Sequence, residues 1–157
     1  MAGAILAVLA ALAGPAMATA DGSTYKGGGK DPLKSTITIK ATSGKIVSYD
    51  VSIETLCGKV NLGGKQTAVW PVTPNAGEAP LKVKNGAFSG KQHQSTTIPA
   101  IPGVTTEPEP GTYSFSISGK FNKGATKVEG HVSLYIETTG GYFCTATRNV
   151  FVATRKK

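Results

Sequence analysis

The chain has 157 residues, with 17 Lys and Arg against nine Asp and Glu, for a formal net charge of +8. That length supports one domain able to bury roughly two thirds of its unfolded surface. The two cysteines, Cys57 and Cys144, lie 87 positions apart, which excludes a metal clip and a Cys-x-x-Cys redox motif.

The first 20 residues carry no charged side chain, and residues 5–13 are an unbroken run of Ile, Leu, Val and Ala. Gly14 and Pro15 then interrupt any helix, and Ala16-Met17-Ala18 places small residues where a signal peptidase reads. Residues 1–20 are therefore expected to be a helical secretory signal peptide, cut after Ala18 or Ala20. An apolar run this short does not suit a bilayer that needs about 20 residues, so no stable membrane span is expected once the leader is removed. All the charged side chains lie in the exported part. Two cysteines in an exported chain most simply pair, and closing such a loop is worth about 4 to 5 kcal/mol by chain entropy.

Residues 21–35 are rich in Gly and Lys and read as a flexible segment, with room for a short strand at 24–27. From residue 36 the apolar positions alternate. Ile37, Ile39 and Ala41 share one face, and after a Ser43-Gly44 turn Val47, Tyr49, Val51, Ile53, Thr55 and Cys57 share another. Residues 66–72 form a strand with Ala68, Trp70 and Val72 together, and Pro71 confines it to an edge or an end. Asn85-Gly86 favours a type I′ hairpin turn. Residues 90–111 hold Pro99, Pro102, Pro108 and Pro110 with many threonines and no clear period, which predicts a long loop.

Alternation returns at Tyr113, Phe115, Ile117 and Phe121, with Gly119 on the apolar face marking a bulge or bend. Val128, Gly130, Val132, Leu134 and Ile136 follow, and the last strand places Cys144, Ala146, Val150 and Val152 on one face. Arg148 would then point inward, so a bulge is expected near Arg148-Asn149. No exported segment has a helical period with caps. The pattern predicts an all-β domain at 36–157, an antiparallel β-sandwich or flattened barrel of about eight strands.

Catalytic motifs are absent from the sequence. Gly58, Gly63, Gly64 and Lys65 suggest a phosphate loop, but Gly64 stands where the lysine should be and Gln66 where Ser or Thr belongs. Six Gly-Lys dipeptides recur at turns along the chain, which is turn chemistry. His131 and Ser133 lie on one polar strand face flanked by Glu129 and Glu137. Residues two apart on a strand stand roughly 7 Å apart, too far for a nucleophile-to-base hydrogen bond of about 3 Å. His93 and His131 supply only two imidazoles, short of a zinc ligand set, so neither metal nor cofactor is expected.

Trp70 has two readings, core packing and an aromatic patch with Pro71 for sugar or peptide recognition. The lysine excess has two as well, dispersed solubilising charge and adhesion to anionic cell-wall polymers, lipid head groups or acidic glycans. Export argues against nucleic acid, and the tail Arg155-Lys156-Lys157 reads as a solvated end.

Several short patterns then line up. Tyr25-Lys26-Gly27, Gly44-Lys45-Ile46 leading to Cys57, and Val83-Lys84-Asn85-Gly86-x-Phe88-Ser89 form the first part. Ser118-Gly119-Lys120-Phe121, Val128-Glu129-Gly130-His131-Val132, Cys144 and Ala153-Thr154-Arg155-Lys156 form the second. Together they resemble a loose group of small secreted bacterial β-proteins, of actinobacterial type, with one cysteine pair. The resemblance implies a secreted β-sandwich with a disulfide. It transfers no catalytic residue, and the 90–111 segment has no counterpart in it.

The expected function is a non-enzymatic extracellular or cell-envelope binding module, with Trp70, His93 and His131 as candidate ligand contacts. The rivals are a protease inhibitor presenting the 90–111 loop and a small secreted hydrolase using His131 or His93.

Overall fold

The computed structural model describes residues 22–59, 63–72 and 80–157. The leader with Ala18 and Ala20 lies outside the described residues. Among the described residues nine strands run in chain order: β1 (Ser23–Gly29), β2 (Ser35–Thr42), β3 (Lys45–Lys59), β4 (Gly63–Val72), β5 (Leu81–Lys82), β6 (Ala87–Ile98), β7 (Glu109–Phe121), β8 (Lys127–Thr138) and β9 (Tyr142–Arg155). Every pairing is antiparallel, in the order β4-β3-β2-β1-β9-β8-β7-β6, with β5 added to β3. Among the described residues no helix is long and apolar enough to cross a membrane.

The all-β expectation holds, and its two layers meet through aromatic side chains. Tyr49 of β3 stacks on Phe115 of β7 with ring centroids 5.9 Å apart, and Tyr25 of β1 meets the Phe121 ring edge-on at 5.2 Å. Such pairs contribute roughly 0.5 to 1.5 kcal/mol beyond their buried area. The layers join along β9, which pairs with β1 at its end and with β3 at its start. At that start Cys57 stands opposite Cys144, and the two form a disulfide with Cα atoms 4.0 Å apart, both fully buried.

Several expectations change. The 21–35 segment contains β1, held between β2 and β9. Only Tyr25 of that strand is buried, so no alternation advertised it. Its glycines are there for close approach: a methyl at Gly27 would overlap the Val152 carbonyl oxygen, and one at Gly29 the Val150 carbonyl oxygen. Most of the 90–111 segment is also strand, paired residue by residue from Ala87↔Lys120 to Ile98↔Glu109. The connection is reduced to residues 99–108, where Ile101 is fully buried and its amide donates to Thr105 Oγ1 at 2.8 Å. β6 was hidden because its inward positions include Gly90 and Gln92, which break the apolar period.

Gly119 marks no bulge, since β7 keeps register with both neighbours. It leaves room for the Phe88 ring, 2.7 Å from where a Cβ would stand. The bulge expected near Arg148 is present: Val132 pairs with Asn149 but Leu134 with Ala146, and Arg148 has φ 50°. It reverses the facing beyond it, so Asn149, Phe151 and Ala153 are buried while Val150 and Val152 are exposed, the opposite of the expected face. A second irregularity, in the pairing with Lys40 and Ala41, turns Val47 outward and Ile46 inward. Asn85 and Gly86 both take positive φ, 51° and 74°, as a type I′ turn requires. β4 is an edge strand, as Pro71 demanded.

Candidate functional face

The in-register Cys57–Cys144 pair sets the neighbouring residue of each strand on the opposite, outward side. Leu56 therefore faces Thr145, and the outer surface of β6–β9 continues onto β3 and β4. One transverse row reads Thr67, Leu56, Thr145, Tyr135, Ser114, His93. Six strands at about 4.8 Å spacing give an arc of about 24 Å.

The rows beside it are dominated by hydroxyls. Lys91, Ser116 and Ser133 form one, and Ser89, Ser118, His131 and Val150 the next. Small polar side chains alternate here with the buried Phe115, Ile117, Val132 and Leu134, which is why the face is polar. Tyr135 is its central aromatic, 44% exposed. The Tyr135 hydroxyl donates to Glu137 Oε2 at 3.3 Å, and desolvation together with that carboxylate raises the phenol above its ordinary pKa.

Positive charge outweighs negative on this surface. Glu129 is paired with Lys127 and Glu137 accepts from Tyr135. Lys91, Lys120 and Arg148 are exposed and form no ion pair among the described residues, although Glu129 stands opposite Lys120 in the β7–β8 ladder.

The predicted histidines share this face but do not meet. His93 Nδ1 lies 2.8 Å from Ser114 Oγ across the β6–β7 ladder. The considered neighbour of His131, Ser133, instead accepts a hydrogen bond from the Arg148 amide at 2.8 Å, made possible by the bulge. The His93–Ser114 contact was invisible in sequence because it depends on cross-strand register. A contact of that length is the first element of nucleophilic catalysis. No carboxylate stands on His93 among the described residues, and the amides around Ser114 lie in ladders on both sides. Among the described residues no three His, Cys, Asp or Glu gather as metal ligands.

Trp70 lies elsewhere. It faces inward with Ala68 and Val72 as expected, half-buried against the core, and lines a cavity of about 400 Å³ between β4 and the end of β6. Its indole Nε1 is buried without a hydrogen-bond partner among the described residues, a deficit worth about 1 to 3 kcal/mol.

No family model, curated protein or solved structure matches the chain.

Proposed function

We propose that this is a secreted, non-enzymatic binding module of the extracellular space or cell envelope, and that its outer β6–β9 face holds an anionic polymer such as a cell-wall polyphosphate or an acidic glycan. The observation that carries this reading is one outward sheet face that holds exposed Lys91, Lys120 and Arg148 together with Ser and Thr hydroxyls and the exposed Tyr135. Hydroxyls on adjacent strands offer repeated donors and acceptors to a linear polymer, and a Tyr ring offers a flat apolar surface to a sugar. Cations without carboxylate partners supply attraction that salt screens. The leader pattern, the buried disulfide and the resemblance to secreted bacterial β-proteins support export.

The test is sedimentation with isolated bacterial cell walls and titration with poly(glycerol phosphate) at low and high salt. Binding is expected to weaken steeply with salt and to fall at least about tenfold in a Lys91→Glu/Lys120→Glu/Tyr135→Ala variant that keeps its melting temperature. Absent binding, or binding indifferent to salt, refutes the reading.

The His93–Ser114 contact keeps one rival, a small hydrolase. Aryl-ester hydrolysis lost on Ser114→Ala would favour it, and unchanged background hydrolysis would remove it. The inhibitor reading loses support because β6 and β7 absorb much of the segment it relied on.

A further inference from the structure

A second set of cations lies away from the outer face. All pairing is antiparallel, so one end of the molecule receives the start of β1, the β2–β3 turn, the entry to β6, the β7–β8 turn and the exit of β9. Backbone hydrogen bonds tie these segments into a ring: the Lys156 amide donates to the Thr24 carbonyl, Arg155 to Thr126, Phe121 to Gly86 and Val83 to Gly44, each at 2.8 Å. The ring closes where Ser23 pairs with Ala41. Lys26, Lys40, Lys45, Lys84, Lys123 and Lys156 are spread around it, all exposed and none in an ion pair among the described residues. Lysines that are dispersed in the sequence are thus gathered by the fold. No carboxylate lies in the turns at 43–44, 83–86 and 122–126, whereas Glu107, Glu109 and Glu137 stand at the opposite end. Asp50 and Glu129 lie farther along their strands, and Glu129 is held by Lys127. We propose that this basic ring docks end-on against the anionic head groups of a lipid bilayer.

Three observations select a membrane surface. Cations placed around a closed end meet a plane of charge all at once, whereas a linear polymer reaches only those along its track. Inside the ring the buried Tyr25 and Phe121 seal the end, and the turns expose no large apolar side chain, so the contact is peripheral and electrostatic. Between β1 and β9 a shallow hollow lined by Ser23, Thr24, Lys26, Arg155, Lys156 and Lys157 offers hydroxyls and cations to one phosphate. The acids at the far end turn the ring toward a negative surface before contact. Neither Lys91 nor Tyr135 belongs to the ring, so failure of the outer face to bind a polymer leaves this proposal untouched.

Flotation with phosphatidylcholine vesicles, with and without phosphatidylglycerol, is the test. The wild type is expected to float only with the anionic vesicles and to be released by high salt. Each Lys held near an anionic leaflet strengthens binding roughly fivefold, so Lys45→Gln/Lys123→Gln/Lys156→Gln should bind at least about tenfold more weakly. Lys30→Gln/Lys34→Gln/Lys59→Gln removes the same charge away from the ring and should lose less than about threefold. Amide exchange of the wild type on vesicles should slow at 83–86 and 122–126 and not at 139–141. The proposal is overturned if anionic vesicles are not bound, if salt does not release the protein, or if the two triple variants are weakened alike. It is overturned too if Lys45, Lys123 and Lys156 matter for poly(glycerol phosphate) and not for vesicles, or if exchange slows at 139–141 instead. Should either variant lose its fold, exchange on the wild type decides alone.

Discussion

Gln92 Nε2 donates to the Tyr49 hydroxyl at 2.7 Å inside the core, while Gln92 Oε1 accepts from the Tyr113 hydroxyl at 3.0 Å. One amide therefore bridges the two layers, through Tyr49 of β3, and two strands of the same layer, through Tyr113 of β7. Gln92→Ala should destabilise the protein by about 2 to 4 kcal/mol, because it opens a cavity and strips a partner from two phenols. Gln92→Met should recover the packing part only. Urea denaturation of the three proteins separates the contributions.

Removing the Cys57–Cys144 bond in a double alanine variant should cost about 4 to 5 kcal/mol by the loop-entropy argument. Thermal unfolding of the variant measures this, and a change below about 1 kcal/mol would contradict the argument.

The glycines of β1 should tolerate nothing larger. Gly27→Ala forces a methyl into the Val152 carbonyl and is expected to cost at least about 2 kcal/mol. Gly124→Ala is the control, since its Cβ would meet the Thr126 side chain at an ordinary 3.7 Å or more, and should change stability by less than about 0.5 kcal/mol. Chemical denaturation of the pair gives the contrast.

Tyr25 predicts an alkaline limit. Its hydroxyl donates to the Ala125 carbonyl at 2.8 Å, and desolvation by burial raises its pKa above the ordinary 10.0, partly offset by the Arg155 charge and a Ser23 hydrogen bond. The folded state therefore keeps its proton where the unfolded chain has lost it. The contribution is fully present below about pH 10 and declines as pH rises from there through the folded pKa. Tyr25→Phe should be less stable at neutral pH by about 1 kcal/mol, and its stability should fall less steeply above pH 10. Melting temperatures measured between neutral and strongly alkaline pH test both halves.

Legibility in the sequence followed the chemistry of the inward positions. β2, β3, β7 and β8 were readable because Ile, Val, Phe and Leu alternate with Ser, Thr and Lys. The long core of β9 was readable too, but its facing after Arg148 was reversed by a bulge whose place could be guessed and whose effect on Val150 and Val152 could not. β1 was legible only as room for a short strand at 24–27, and β6 only at its start, for the same physical reason. Gly27 and Gly29 let the β1 backbone approach β9 closely, and Gly90 and Gln92 take inward positions of β6, so neither strand carries a hydrophobic period. The functional face was legible only in pieces. His93 was placed in a loop, and its contact with Ser114 needs a register that polar alternation does not specify.

β1 has β2 on one side and β9 on the other. A chain that emerges N-terminus first from any pore or ribosome has β2 to hand early, but it lacks the partner for the other edge of β1 until residues 152–155 have followed. The seam between Tyr25 and Arg155 thus closes only after β9 has been made. A polypeptide cut short before β9 would carry an open edge of small, glycine-rich backbone, the kind of edge that templates pairing between copies.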